Sequence, residues 1–331
     1  MLNKYQAAAN EAQSILLADE NLSEWLCRYN GYIDTITANL DTIRKNRRRL
    51  REWKPLKYYM NITNAKKAKH AVRFEARYLG QTVAELLSNT DGVFISTKNY
   101  EPTNQRDFDC GIKLKNAPWA GKEAAAFRAH FKNREPLRNV CENKGNEEHR
   151  IESLLLSEFS KSKEKALPNI KPIKIKGLRF PMLTPIGASK HGITKYAKQR
   201  GGGIDIFARI GTGGRATYLC IIELKDENTK AEPASHAILQ AIKYAVFIRE
   251  LLRSNAGAAW WRLFGLGGAI PRKLKIHAVC AMPDIANADT SFAKKQIRLG
   301  NDEIILGYIY FKETGNAIES IRTSLFKTEE I

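Results

Sequence analysis

The chain has 331 residues, 43% of them hydrophobic and 9% aromatic, which suits one large or two ordinary packed domains and excludes a disordered chain. Its 54 Lys and Arg against 35 Asp and Glu leave a formal charge of +19. Such an excess favours a polyanionic partner, because every phosphate neutralised releases condensed counterions. No apolar run approaches the ~20 residues that cross a bilayer, and MLNKYQAAANEAQ at the start lacks the apolar stretch of a secretory signal. A soluble, cytoplasmic protein with no membrane partner is therefore expected. Its five cysteines are odd in number, scattered and without a CxxC pair, and no HExxH occurs, so neither a disulfide framework nor a zinc site is expected.

In chain order, residues up to about 85 read as mostly helical. Ile15, Leu16, Leu22, Trp25, Leu26, Tyr29, Ile33, Ile36, Leu40 and Ile43 recur at spacings near three and four, the period of amphipathic helices. A basic run follows in Arg44, Lys45, Arg47, Arg48, Arg49, Arg51 and Lys54, interleaved with Trp53, Tyr58 and Tyr59. Charge with aromatics beside it suits backbone neutralisation and base stacking, so these residues are the expected nucleic-acid contacts. A second basic segment, AKKAKHAVRFEARYLG, is read with the same helical part, GVFIST as a strand and AAAFRAHFKN as a short helix. Polar REPLRNVCENKGNEE marks a domain boundary, giving 1–140 as a mostly helical, basic domain and 141–331 as a second domain.

That second domain begins with an amphipathic helix, NEEHRIESLLLSEFSK, followed by a Pro- and Lys-rich connection. GGGIDIFARI then reads as a glycine-led strand, GTGG as a hairpin turn, and TYLCIIELK as a central strand. ASHAILQAIKYAVFIRELLR is a strong helix, and LKIHAVCAMP and EIILGYIYF are two further strands. Hairpin strands followed by a helical crossover predict an α/β core, a mixed central sheet flanked by helices. Trp260 and Trp261 are expected to pack, and GLGGAIP is expected to be a connection.

The charges inside apolar strands carry the chemistry. Asp205 sits between Ile204 and Ile206, and Glu223 and Lys225 share one side of a strand that otherwise reads IIxL. Buried charges need each other, a metal or water. If the GTGG hairpin pairs the two strands, Asp205 and Glu223 meet as an oxygen-ligand pair suited to Mg²⁺. A neighbouring ammonium from Lys225 would orient a water and stabilise the charge that builds on a phosphate under attack.

These residues resemble the PD-(D/E)xK nuclease superfamily. GIDIFAR, IIELK and a following helix with Gln240 and Tyr244 (QAIKY) are similar to its RecB-type subset, and EHRIESLLL resembles its acidic first helix. The resemblance covers about residues 146–285. It implies a restriction-endonuclease-like core and an active site of Glu148, Asp205, Glu223, Lys225 and Gln240. Asp205 and Glu223 would ligate the metal with the backbone carbonyl of Leu224, and Lys225 would orient and activate water. Tyr244 and Glu152 are possible supports, and Glu152 is the reserve for Glu148 as the helix acid. The proline that often precedes the first acid is replaced by Ile204.

The expected function is a Mg²⁺-dependent nuclease, with Mn²⁺ as the substitute ion, that hydrolyses DNA in restriction, defence or repair. A homodimer is one arrangement open to it. The alternative is a catalytically inactive nucleic-acid-binding protein on the same scaffold.

Overall fold

The computed structural model describes residues 2–50, 56–61, 72–78, 80–97, 111–133, 147–160, 169–188, 194–198, 201–211, 216–315 and 317–326. The chain divides into two compact units that alternate along the sequence. One comprises Met1–Asn30, Glu158–Ile173 and Pro181–Ile331, the other Gly31–Ser157 and Lys174–Phe180. The boundary expected near residue 140 lies outside the described residues. Among the described residues, no helix is long and apolar enough to cross a membrane.

The first unit is built on a mixed sheet. In spatial order its strands are Gln296–Leu299, Asp302–Thr314, Lys275–Pro283, Thr217–Leu224, Ile206–Gly211 and Ile170–Pro172, with Ala317–Thr323 also on Asp302–Thr314. Thr217–Leu224 pairs antiparallel with Ile206–Gly211 and parallel with Lys275–Pro283. The two strands pair antiparallel as the hairpin reading expects, and the turn itself, 212–215, lies outside the described residues. A parallel pair needs a crossover, and the helix Ala234–Arg253 supplies it. Cys220, Ile221 and Ile222 are fully buried, as are Ala278 to Met282 one strand away. Continuous apolar runs of this kind are what a strand covered on both faces requires.

The Ala234–Arg253 helix packs on Leu2–Leu17, tied by Glu11–Lys243 at 3.5 Å and Gln13–Glu250 at 2.9 Å. Trp25, Tyr29, Phe247, Trp260, Phe264 and Phe207 form a chain of ring contacts with centroids 4.8–6.2 Å apart. Trp260 and Trp261 are core residues of this unit. Cys220 and Cys280 are buried too, and burial pushes both thiols up. The GLGGAIP connection is held at one end by Arg209, which donates to the Gly265 carbonyl.

The N-terminal part is less helical than expected. Helices fill Leu2–Leu17 and Asp19–Ala38, mostly in the first unit, and Leu40–Arg47 in the second, but strands of the second unit follow at Leu56–Asn61, Val72–Tyr78, Gln81–Asn89 and Gly92–Thr97. Val72–Tyr78 buries Val72, Phe74, Ala76 and Tyr78 and turns Arg73, Glu75 and Arg77 outward from that layer. That is a period of two, which outweighs the helix propensity of the basic residues around it. Its sheet also takes in Ala117–Pro118, Leu178–Arg179 and Lys174–Ile175. The helix Glu147–Glu158 buries Ile151, Leu154 and Leu155. It meets Leu56–Asn61 through Lys57–Ser157 at 2.7 Å and Tyr59–Glu152 at 3.1 Å.

Candidate active site

The antiparallel register decides whether the two predicted acids can cooperate. Ile206 stands opposite Ile222 and Phe207 opposite Ile221, so the bend at Asp205, just before the strand, arrives next to the Glu223–Leu224 end of its partner. Asp205 Oδ2 accepts the Leu224 backbone N–H at 2.8 Å, which locks its carboxylate against the main chain beside Glu223. Lys225 Nζ donates to Glu223 Oε1 at 3.2 Å. Glu223 is buried, with a side chain 2% exposed, whereas that of Lys225 is 13% exposed. The ammonium is therefore the member of the pair that reaches toward solvent.

The crossover helix delivers the next layer. Gln240 Nε2 donates to the Tyr244 hydroxyl at 3.3 Å, one helical turn along. Burial raises the Tyr244 phenol to about 12, and the charges on Glu223 and Asp205 push it the same way. A neutral hydroxyl is thus maintained beside two carboxylates throughout the physiological range.

The glycines that open this segment explain how the chain fits. A Cβ on Gly202 would collide with the Tyr244 hydroxyl and lie 2.9 Å from its Cζ, and one on Gly201 would meet the Ile186 backbone. The glycine run Gly201–Gly203 was read as a strand leader in the sequence. Its contact with Tyr244 carries no sequence signal beyond the absent side chains.

Asp205, Glu223, Leu224, Lys225, Gln240 and Tyr244 all belong to the first unit and come together there. Just beyond them, carboxylate oxygens of Asp226 and Glu232 lie within 4.8 Å of one another, and sequence reasoning missed both. Their signal is weak because they sit in an irregular stretch without strand periodicity.

Glu148 and Glu152 belong to the second unit. Glu148 is half-buried on the first turn of its helix. Glu152 is buried, accepts the Tyr59 hydroxyl at 3.1 Å and lies 3.7 Å from His149 Nδ1. The Arg77 guanidinium lies over the Tyr59 ring, 4.3 Å from its centroid. Burial, and then the charge on Glu152, hold the Tyr59 phenol well above its ordinary value.

The basic run of the second unit divides by role. Arg47 donates to the Gly177 carbonyl, and the Arg49 carbonyl accepts Trp119 Nε1. Asn46, buried just before them in the chain, donates to the carbonyls of Asn89 and Gly92 and clamps that turn. Arg44, Lys45, Arg48 and Arg49 are exposed, and Arg44 is 3.1 Å from Asp41. Arg51 and Lys54 lie outside the described residues.

Carboxylates are the donors a hard divalent cation prefers, and the Asp205 carboxylate held on the Leu224 N–H and the Glu223–Lys225 pair sit at one end of the strand pair. No protein-family model, curated protein or solved structure matches the chain.

Proposed function

We propose that the chain is a divalent-metal-dependent nuclease that hydrolyses phosphodiester bonds in DNA, of restriction, defence or repair type, on a restriction-endonuclease-like core. The observation that carries this reading is the Asp205 carboxylate fixed on the Leu224 N–H at 2.8 Å, next to Glu223, with Lys225 Nζ 3.2 Å from Glu223. A buried strand has no packing reason to hold two acids and a lysine at one end.

Asp205, Glu223 and the Leu224 carbonyl would hold Mg²⁺, or Mn²⁺ in its place. When bound, such an ion supplies Lewis-acid polarisation of the scissile phosphate and lowers the pKa of water. Lys225 orients the water that attacks phosphorus and donates to the phosphate oxygen on which charge builds, a contact stronger in the transition state than in the ground state. The bond to the leaving oxygen breaks as the water oxygen bonds to phosphorus; the attacking water gives up its proton to solvent, and the leaving oxygen takes one from solvent. Gln240 and the neutral Tyr244 hydroxyl hold the carboxylate side of the site. Asp205 is kept in place by the Leu224 N–H, so its orientation does not await substrate. The exposed basic residues Arg44, Lys45, Arg48 and Arg49 are proposed backbone contacts.

Incubation of the protein with supercoiled plasmid and Mg²⁺ or Mn²⁺ tests the reading. Conversion to nicked or linear product is expected, with loss of about 10²–10³-fold in Lys225→Ala and none of the conversion in EDTA. DNA binding without cleavage by the unaltered chain under either ion would sink the enzyme and leave the inactive binding scaffold.

A further inference from the structure

The candidate active site occupies the C-terminal end of Thr217–Leu224. The opposite end of the same sheet carries a depression of about 380 Å³ lined by Arg272, Lys273, Arg298, Gly300, Asn301, Asp302 and Glu303. Lys275 pairs with Glu303 and Ile276 with both Leu219 and Ile304, so the depression is level with Tyr218. Seven residues at ~3.3 Å each separate that level from Lys225, about 23 Å along the strands.

Both acids of the depression are already engaged. Asp302 is 3% exposed and accepts Arg249 Nε at 2.8 Å, Arg253 Nε at 2.9 Å and the Leu274 N–H at 2.9 Å. Glu303 accepts Lys273 Nζ at 2.6 Å. Arg253 also donates to the carbonyls of Pro271 and Arg272, which fixes the loop that carries Arg272. By contrast, Arg272 and Arg298 are exposed and form no salt bridge within 4 Å among the described residues, Arg298 standing opposite Glu303, whose charge Lys273 already holds at 2.6 Å. Two guanidinium forks thus face a concave surface whose floor is a saturated Arg–Asp–Arg network. Guanidinium groups match phosphate in planar, bidentate geometry.

We infer that this depression binds the phosphate backbone of a nucleic acid, at a site separate from the one where cleavage is proposed. The +19 charge of the chain selects a polyphosphate polymer over a single small anion, because counterion release grows with every phosphate engaged. A separation of about 23 Å equals roughly seven base pairs of rise, so the contact serves DNA that extends well beyond a scissile phosphate. The inference shares the nucleic-acid partner with the nuclease reading and does not depend on cleavage.

Binding of a fluorescent 30-base-pair duplex, measured in EDTA across a salt series, tests it. Arg272→Ala/Arg298→Ala is expected to weaken binding about tenfold near 0.1 M salt and to flatten the slope of log K against log[salt] by about 1.8, 0.9 for each lost contact. Arg272→Lys/Arg298→Lys should keep the slope, since the charges remain. The alanine variant overturns the inference if affinity and slope are both unchanged, or if affinity drops without a change in slope. Displacement of the duplex by micromolar inorganic pyrophosphate would overturn it as well, by assigning the depression to a free phosphate ligand. Lys225→Ala serves as the control. If it abolishes cleavage while the alanine double variant binds normally, this inference alone fails; if the double variant weakens binding of a chain that never cleaves, the nuclease reading alone fails.

Discussion

A single missing methyl group shapes the candidate active site. Gly202 lies so close to the Tyr244 hydroxyl that a Cβ would overlap it, and Tyr244 cannot retreat because it is 2% exposed and hydrogen-bonded to Gln240. Gly202→Ala is expected to destabilise the protein by about 1–3 kcal/mol in urea unfolding, the usual effect of overpacking. Adding Tyr244→Phe should recover part of that loss by removing the clashing oxygen, and full stability of Gly202→Ala alone would contradict the contact. The same two residues set the approach of the glycine run to Asp205, three positions on. Asp205, Glu223 and Lys225 were legible in the sequence because charge inside an apolar strand is anomalous. Gly202 was not, because a glycine beside other glycines does not say what it makes room for.

The central strand Lys275–Pro283 shows how an element imposes chemistry on a residue it buries for other reasons. The strand pairs on both sides, and His277 on its face is half-buried. Burial, and then the charge of Lys275 two residues away, pull the imidazole down to about 4. The ring lies 5.8 Å from that of Tyr218. Between pH 6.5 and 4 the unfolded chain binds a proton at this histidine and the folded one does not, so stability falls as pH falls through that window. The shift corresponds to about 3 kcal/mol. Thermal or urea unfolding at pH 7 and pH 4.5 should therefore show a smaller pH dependence in His277→Phe than in the unaltered chain. Equal losses in both would place the acid sensitivity elsewhere. Strand existence here was readable from LKIHAVCAMP, while the environment that half-buries His277 was not.

For the molecule as a whole, the interleaving of the two units matters more than any boundary between them. Leu2–Leu17 and the residues up to Asn30 belong to the first unit, where Trp25 stacks edge-on with Phe247 at 5.8 Å and Tyr29 meets Phe247 at 5.0 Å. A fragment 141–331, the second domain that the sequence suggests, would lack both rings and the Glu11–Lys243 and Gln13–Glu250 contacts. Each large buried side chain contributes about 1.5–3 kcal/mol, against a typical total of about 5–15 kcal/mol. The fragment is expected to lack a cooperative unfolding transition by circular dichroism, whereas one that melts cooperatively would show the first 30 residues to be dispensable to this core.

Local pattern alone established the hairpin of the first unit, its crossover helix and the placing of Asp205, Glu223, Lys225, Gln240 and Tyr244 on them, since strand alternation and helical spacing are short-range properties. It misjudged Leu56–Asn61 and Val72–Tyr78 as part of a helical stretch, and in the second of them Arg73 and Arg77 on the outward side hid a period of two. Pairing register brought Asp205 next to the Glu223–Leu224 end of the partner strand, and long-range packing returned the N-terminal helix to the Ala234–Arg253 helix and collected Arg272 and Arg298 around one depression. Those outcomes depend on contacts between residues as many as 292 positions apart, such as Gln6 with Arg298, and no window of neighbouring residues contains them.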